Sequence, residues 1–210
     1  MGERCLLLAT TNQHKIEEFR AILAGVPCKL VCPQDLGLDV RIQETGSTFA
    51  ENAVLKAIAY VEACGLPVLA DDSGLEIDAL NGEPGIYSSR WAGEDVPYPE
   101  RFHILFERLT DVPEALRTAR YRCAVAIARP APCGLYNVAE GILEGRIALA
   151  PAGDQGFGYD PIFLVPDLNR TVAQVTANEK HRISHRGKAG AAAAAMMSHW
   201  FDNGDGSTCT

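Results

Sequence analysis

Leu66-Pro67-Val68-Leu69-Ala70 runs directly into Asp71-Asp72-Ser73-Gly74. A short Val/Leu/Ala run closed by acidic residues and glycine reads as a buried strand that stops at solvent. In α/β proteins, sites gather outside the carboxyl ends of such strands. Two neighbouring carboxylates repel, so this edge needs a compensating partner. Two readings stand open on these residues alone. One is a solvated turn in which Asp71 or Asp72 caps the next helix, and the other is acidic chemistry at a strand end.

Upstream, Thr48-Phe49-Ala50-Glu51 has capping-box spacing, and Ala53, Val54, Ala57, Ile58 and Val61 continue a helical stripe to Gly65. This helix feeds the acidic strand. Before it, Gln43-Glu44-Thr45-Gly46-Ser47 is a polar loop from which Glu44 can approach the same edge. Lys56 lies only partly opposite the apolar stripe, so it is either solvated or turned to a ligand. Nearer the N-terminus, Cys5-Leu6-Leu7-Leu8-Ala9 is a buried strand, and Ile16, Phe19, Ile22 and Leu23 recur at helical spacing. The turn between them is Thr10-Thr11-Asn12-Gln13-His14-Lys15. Its backbone N–H groups open a helix, and a lysine in the first turn opposes the helix dipole unless an anion lies nearby. An ordinary Thr or Asn cap with a surface lysine fits this turn as well, and neither G-x-G-x-x-G nor G-x-x-x-x-G-K-[ST] is present.

Downstream, Leu75 to Leu80 closes at Asn81-Gly82, and the turn-rich stretch Glu83 to Arg90 follows. Pro99 opens a helix marked by Phe102, Leu105, Phe106 and Leu109. Tyr121 to Ile127 alternates as a strand whose second face is only weakly polar, and Leu135 to Ile142 reads as its neighbour. Gly156-Phe157-Gly158-Tyr159-Asp160-Pro161 precedes a strand at Ile162-Phe163-Leu164-Val165. Glycine there permits close ligand approach. Phe157 suits either stacking on a planar base or plugging the loop from beneath. Thr176-Ala177-Asn178-Glu179 repeats the capping-box spacing, and Ser184 precedes a long helix opening near His185-Arg186. Cations at a helix start call for an anion or for solvent.

The chain has 210 residues, 47% hydrophobic and 22% charged, enough for one domain or two closely joined lobes. Its 27 acidic and 19 basic residues leave a net charge of −8, which argues against a general nucleic-acid binder. A small anion needs only a local basic cluster, and Lys180-His181-Arg182 with His185, Arg186 and Lys188 supplies one. Seven cysteines without a C-x-x-C pair indicate reduced thiols, with Cys5, Cys64 and Cys123 expected as core filler. No apolar stretch is long enough to span a membrane, and Met1-Gly2-Glu3-Arg4 lacks a signal-peptide pattern, so the expected location is cytoplasmic. Asn203 to Thr210 has no apolar periodicity and is expected to be a flexible tail.

Carboxylates Glu44, Asp71 and Asp72 with cations Lys15, Lys56, Arg90, Lys180 and Arg186 have the composition of a metal-phosphate site. Five ordered blocks carry a family resemblance: Ala9-Thr10-Thr11-Asn12 through Lys15, Glu44 through Lys56, Ala70 through Leu75, Gly156 through Pro161, and Ser184-His185-Arg186. Together they resemble the inosine/xanthosine triphosphate pyrophosphatases, the HAM1-like or RdgB-like family. The resemblance implies an α/β fold with a mixed central sheet, flanking helices and two lobes around a deep cleft. Residues 1–202 then form one two-lobed domain, usually homodimeric. It implies Mg²⁺-dependent hydrolysis of ITP, dITP and XTP to the monophosphate and pyrophosphate.

Carried over by motif, Thr10, Thr11, Asn12, Gln13, His14 and Lys15 cradle the triphosphate, Glu44 and Asp72 hold metal, and Asp72 activates water. Ser73, Lys56 and Arg90 contact substrate. Phe157, Gly158, Tyr159, Asp160, Lys180, His185 and Arg186 shape the base and phosphate site. Many relatives have Thr-Gly-Asn where this chain has Thr10-Thr11-Asn12. Two other readings compete. One is a binding protein without turnover, and the other is an aspartyl phosphomonoesterase, whose Asp-x-Asp spacing is absent.

Overall fold

The computed structural model describes residues 4–131, 134 and 136–202. The proposed tail, 203–210, lies outside them. The elements are β1 (Cys5–Leu8), α1 (Gln13–Ile22), β2 (Lys29–Val31), α2 (Phe49–Cys64), β3 (Val68–Ile77), α3 (Tyr98–Arg108), β4 (Thr118–Ala128), β5 (Tyr136–Ile147), β6 (Phe163–Val165), β7 (Arg170–Thr171), α4 (Ala177–Ile183) and α5 (His185–Asp202). The strands form one mixed sheet in the order β2-β1-β3-β4-β5-β6-β7. β1 runs parallel to both β2 and β3, whereas β6 is antiparallel to β5 and β7.

The chain divides into two compact units. The first comprises Met1–Asp72, Cys123–Gly141 and Arg186–Thr210. Its core gathers Leu6, Leu8, Ile16, Phe19, Leu69, Val125, Ile127, Ala189 and Met197, so the α1 stripe and the small residues of α5 pack together with β1, β3 and β4. Thr48 caps α2 by accepting from the Glu51 N–H at 3.1 Å. Gly65 ends that helix in the left-handed region (φ 66°), returning its N–H to the Val61 carbonyl at 2.8 Å.

The second unit comprises Ser73–Arg122 and Ile142–His185. Its core holds Leu75, Ile77, Phe102, Leu105, Leu109, Tyr121, Ile147, Ile162 and Phe163. The Arg101 guanidinium, buried in this unit, donates to the carbonyls of Ser88, Ser89, Gly93 and Val96, which ties down the turn-rich stretch before α3. Among the described residues, no helix is long and apolar enough to cross a membrane.

Three sequence expectations are corrected and one strand is added. Strand β3 does not stop at Asp71 but continues to Ile77, so neither the strand-end nor the helix-cap reading of the acid pair describes the backbone. β2 was unforeseen, because three residues are too short to show a period. β5 begins near the expected place and runs five residues beyond Ile142. Of the three expected filler cysteines only Cys123 is buried; Cys5 and Cys64 are half-buried, and Cys32 is buried instead.

Candidate active site

Backbone register places the first group of residues. Leu8 of β1 is the parallel partner of Leu69 in β3, and Ala9 N–H donates to the Leu69 carbonyl at 2.8 Å. The turn that follows β1 is therefore set beside Asp71. Asn12 caps α1, its Oδ1 accepting from the N–H groups of His14 at 3.0 Å and Lys15 at 3.3 Å. Thr10 Oγ1 accepts from the Asn12 N–H at 3.2 Å, and exposed Gln13 donates to Glu17 at 3.2 Å. Thr11 and His14 are exposed.

The anion that answers Lys15 within the chain is Asp71, whose Oδ2 lies 2.9 Å from Nζ. The same oxygen lies 3.4 Å from Arg186 Nη2, and Arg186 Nη1 donates to Glu18 Oε2 at 2.7 Å. These four groups alternate in sign and join α1, β3 and α5. Burial opposes ionisation of Asp71, yet Lys15, Arg186 and Lys56 together hold its carboxyl well below the usual range. Cys123 Sγ sits 4.0 Å from Asp71 Oδ2, and burial with that negative neighbour pushes its thiol up to about 12.

Asp72 faces other partners, as alternation along a strand requires. Asn52 Nδ2 donates to its Oδ2 at 3.1 Å, and Lys56 Nζ lies 3.6 Å from its Oδ1. Lys56 also donates to Glu44 Oε1 at 2.7 Å. Asn52 in turn accepts from the Gly46 N–H at 2.8 Å, which anchors the Glu44 loop. Burial raises the Asp72 carboxyl, and Glu44 raises it further against the pull of Lys56, Lys15 and the Asn52 hydrogen bond. Burial disfavours the Lys56 ammonium, but Asp72, Asp71 and Glu44 more than offset it and leave the group raised. The Asp71 side chain is 1% exposed and that of Asp72 10%, so only Asp72 presents an edge to a ligand.

Among the described residues, no three His, Cys, Asp or Glu side chains form a ready metal cage. Glu44 and Asp72 nevertheless converge on one ammonium, giving two hard oxygen donors whose mutual repulsion a divalent cation relieves. That set fits Mg²⁺, which is commonly held by one or two carboxylates with substrate phosphates and water.

In the second unit, Asp160 is buried with both oxygens engaged. Tyr121 Oη donates to Oδ1 at 3.2 Å, while Lys180 Nζ and the Phe157 N–H donate to Oδ2 at 2.6 and 2.9 Å. Gly156 has φ 76°, and a Cβ there would run into the Asp160 carboxylate, so this turn requires glycine. The Lys180 ammonium lies 4.8 Å from the centre of the Phe157 ring. Tyr121 stacks on His185 at 4.6 Å and on Phe163 at 4.3 Å. Tyr159 is buried, its hydroxyl donating to the Ser88 carbonyl at 3.0 Å, and Gly158 (φ 68°) packs beside Tyr98. Arg90 lies over the Tyr87 ring at 5.2 Å, and Ser73 is half-buried in β3.

The structure thus brings Lys15, Asp71 and Arg186 together, and likewise Glu44, Lys56 and Asp72. It gathers Phe157, Asp160 and Lys180 around one carboxylate. Sequence reasoning missed Asn52, Glu18 and Tyr121. Asn52 carried a readable signal, being a polar residue on the buried stripe Phe49, Asn52, Ala53, Ala57 and Tyr60. Glu18 carried none.

The fold and site define an α/β protein whose strand β3 carries two carboxylates met by lysines from α1 and α2. The chain belongs to the Ham1 family, whose pattern it matches over residues 6–196. It is 50% identical over 186 residues, 88% of this chain and 92% of the relative, to a dITP/XTP pyrophosphatase of Streptomyces coelicolor. It is 46% identical over 184 residues, 88% of this chain and 93% of the relative, to the dITP/XTP pyrophosphatase of Shigella flexneri. Among solved structures, a HAM1 protein from Coxiella burnetii superposes with TM-score 0.85 at 39% identity, covering 93% of this chain and 99% of that one. The Ham1 protein of Staphylococcus aureus gives 0.83 at 39% identity with the same coverage.

Proposed function

We propose that this protein hydrolyses noncanonical purine nucleoside triphosphates, ITP, dITP and XTP, to the monophosphate and pyrophosphate, removing deaminated purines from the nucleotide pool. The observation that carries this reading is the pairing of Asp72 with Glu44 through Lys56, in a chain half identical to a dITP/XTP pyrophosphatase.

In this reading Lys15 and Lys56 neutralise phosphate charge, and Glu44 and Asp72 are the residues that would hold Mg²⁺. Bound there, the ion would neutralise charge on the phosphate oxygens. Asp72 orients a water and accepts its proton as the water oxygen bonds to the α-phosphorus. The bond from that phosphorus to the bridging oxygen breaks, and pyrophosphate leaves with the electron pair. A carboxyl raised by burial is the better base at neutral pH, which suits Asp72 and excludes Asp71. Asp160 and Lys180 hold the Phe157 turn for the purine ring. A homodimer and a cytoplasmic location belong to the same proposal, and light scattering tests the former.

The test is product identity. Purified protein with Mg²⁺ is expected to convert ITP to IMP and pyrophosphate in equal amounts. Release of orthophosphate, or tight binding without turnover, overturns the reading.

A further inference from the structure

Glu18 lies on α1, three residues after Lys15, and is buried although it belongs to no motif. Its carboxylate takes Arg186 Nη1 at 2.7 Å, closer than the 3.4 Å between that guanidinium and Asp71 Oδ2. Lys15 holds that same Asp71 oxygen at 2.9 Å. Two cations therefore share one carboxylate oxygen, and the lysine has the closer place. Arg186 is almost wholly buried, and a buried guanidinium deprived of an anion seeks another strongly. The carboxylate within its reach is then Asp71.

We propose that Glu18 is a positioning residue: by drawing the Arg186 guanidinium to itself it leaves the Asp71 oxygen to Lys15, and so fixes the lysine beside the turn after β1. The catalytic consequence rests on the reading that Lys15 meets substrate phosphate, whereas the arrangement of charges does not. Loss of the Glu18 charge turns Arg186 onto Asp71, displaces the Lys15 ammonium and loosens the phosphate turn. Both residues sit on one face of α1, because a separation of three places them one above the other. The helix that opens the phosphate turn thus also carries the group that protects its lysine.

The test uses the full-length protein and reads Lys15 directly, by the rate at which its amine is acylated, with exposed Lys29 as internal reference. In E18Q, Lys15 labelling is expected to rise about five-fold relative to Lys29, as a held ammonium is released. In E18Q/R186M the competitor is also gone, so labelling is expected to return to the wild-type rate. Alongside, E18Q is expected to raise KM for ITP about five-fold while kcat changes less than about two-fold, the pattern for lost ground-state binding.

Unchanged Lys15 labelling in folded E18Q overturns the proposal, as does failure of E18Q/R186M to restore protection. A purely structural Glu18 would lower Tm without that rescue. Should E18Q not fold, E18D replaces it, and its lengthened Arg186 contact is expected to raise labelling about two-fold; no rise overturns the proposal. The labelling result is independent of turnover, so absence of ITP hydrolysis in the wild type defeats the functional reading and leaves this one standing or falling on its own.

Discussion

Asp71 and Asp72 start from the same ordinary pKa of 3.8 and move in opposite directions, because alternation along β3 hands them different partners. Asp71 meets two cations at close range and stays ionised. Its folded value is depressed, so its stabilisation is present above the ordinary carboxyl range and is lost as pH falls through the lower folded value. Asp72 is raised, so ionising it works against folding, and stability declines as pH climbs from 3.8 through its folded value. D71N is therefore expected to lose about 3–5 kcal/mol at pH 7, the cost of stranding buried cations. D72N keeps its Asn52 contact and is expected to melt at or above the wild-type temperature at pH 7, with that margin shrinking toward pH 4. Its kcat is expected to fall at least about 100-fold, as for removal of a general base. Thermal unfolding across pH with single-turnover hydrolysis checks both; a destabilised D72N at neutral pH contradicts the assignment. The identity of the acid pair was readable in the chain, but the division between them was not. It depends on Lys15 and Arg186, brought to Asp71 from α1 and α5, which no local pattern around β3 shows.

Helix boundaries were the most legible elements, since caps are local. Thr48, Thr176 and Asn12 each cap the helix they precede, and Thr176 with Glu179 closes a full capping box. Strand β3 was misjudged for a physical reason. Asp, Ser and Gly have poor strand propensity, yet a strand between two neighbours follows packing and ladder pairing rather than intrinsic preference. The Gly156 to Pro161 block was recognisable as a glycine-rich turn, whereas its internal wiring through Tyr121 needed the fold. Asp160 there is better placed to hold the loop than to meet a ligand, being buried with three donors on two oxygens. D160N keeps the volume and removes the charge facing Lys180. It is expected to cost about 3–5 kcal/mol by leaving a buried ammonium uncompensated. On the proposal that Phe157 meets the purine, it is also expected to raise KM for ITP more than it lowers kcat. Denaturant melts and steady-state kinetics decide this, and an unchanged KM with intact fold would make the loop independent of Asp160.

At the scale of the whole chain, charge explains why a metal belongs in the proposal. The protein carries a net charge of −8, and its distant field repels a polyanion. The cluster around β3 does not reverse that sign. Among the described residues joined there by ion pairs, the carboxylates are Glu18, Glu44, Asp71 and Asp72 and the cations Lys15, Lys56 and Arg186, one negative charge in excess. Adding a triphosphate makes the imbalance worse, and at an effective dielectric near 20 each unit charge pair 4 Å apart is worth about 4 kcal/mol. A divalent cation arriving with the nucleotide would offset part of that excess, and Glu44 and Asp72 are the donors whose repulsion it would relieve. Chelation with EDTA is therefore expected to abolish turnover and to weaken ITP binding at least about ten-fold, with both restored by Mg²⁺. With Mg²⁺ present, raising salt from about 50 to about 200 mM is expected to change affinity far less than the about 10³-fold or greater loss of a protein held to many phosphates. Calorimetric titration of ITP with and without Mg²⁺ measures both effects. Equal affinity and turnover in EDTA would mean that Lys15, Lys56 and Arg186 suffice for the triphosphate, and the charge argument for Glu44 and Asp72 as metal donors would fail.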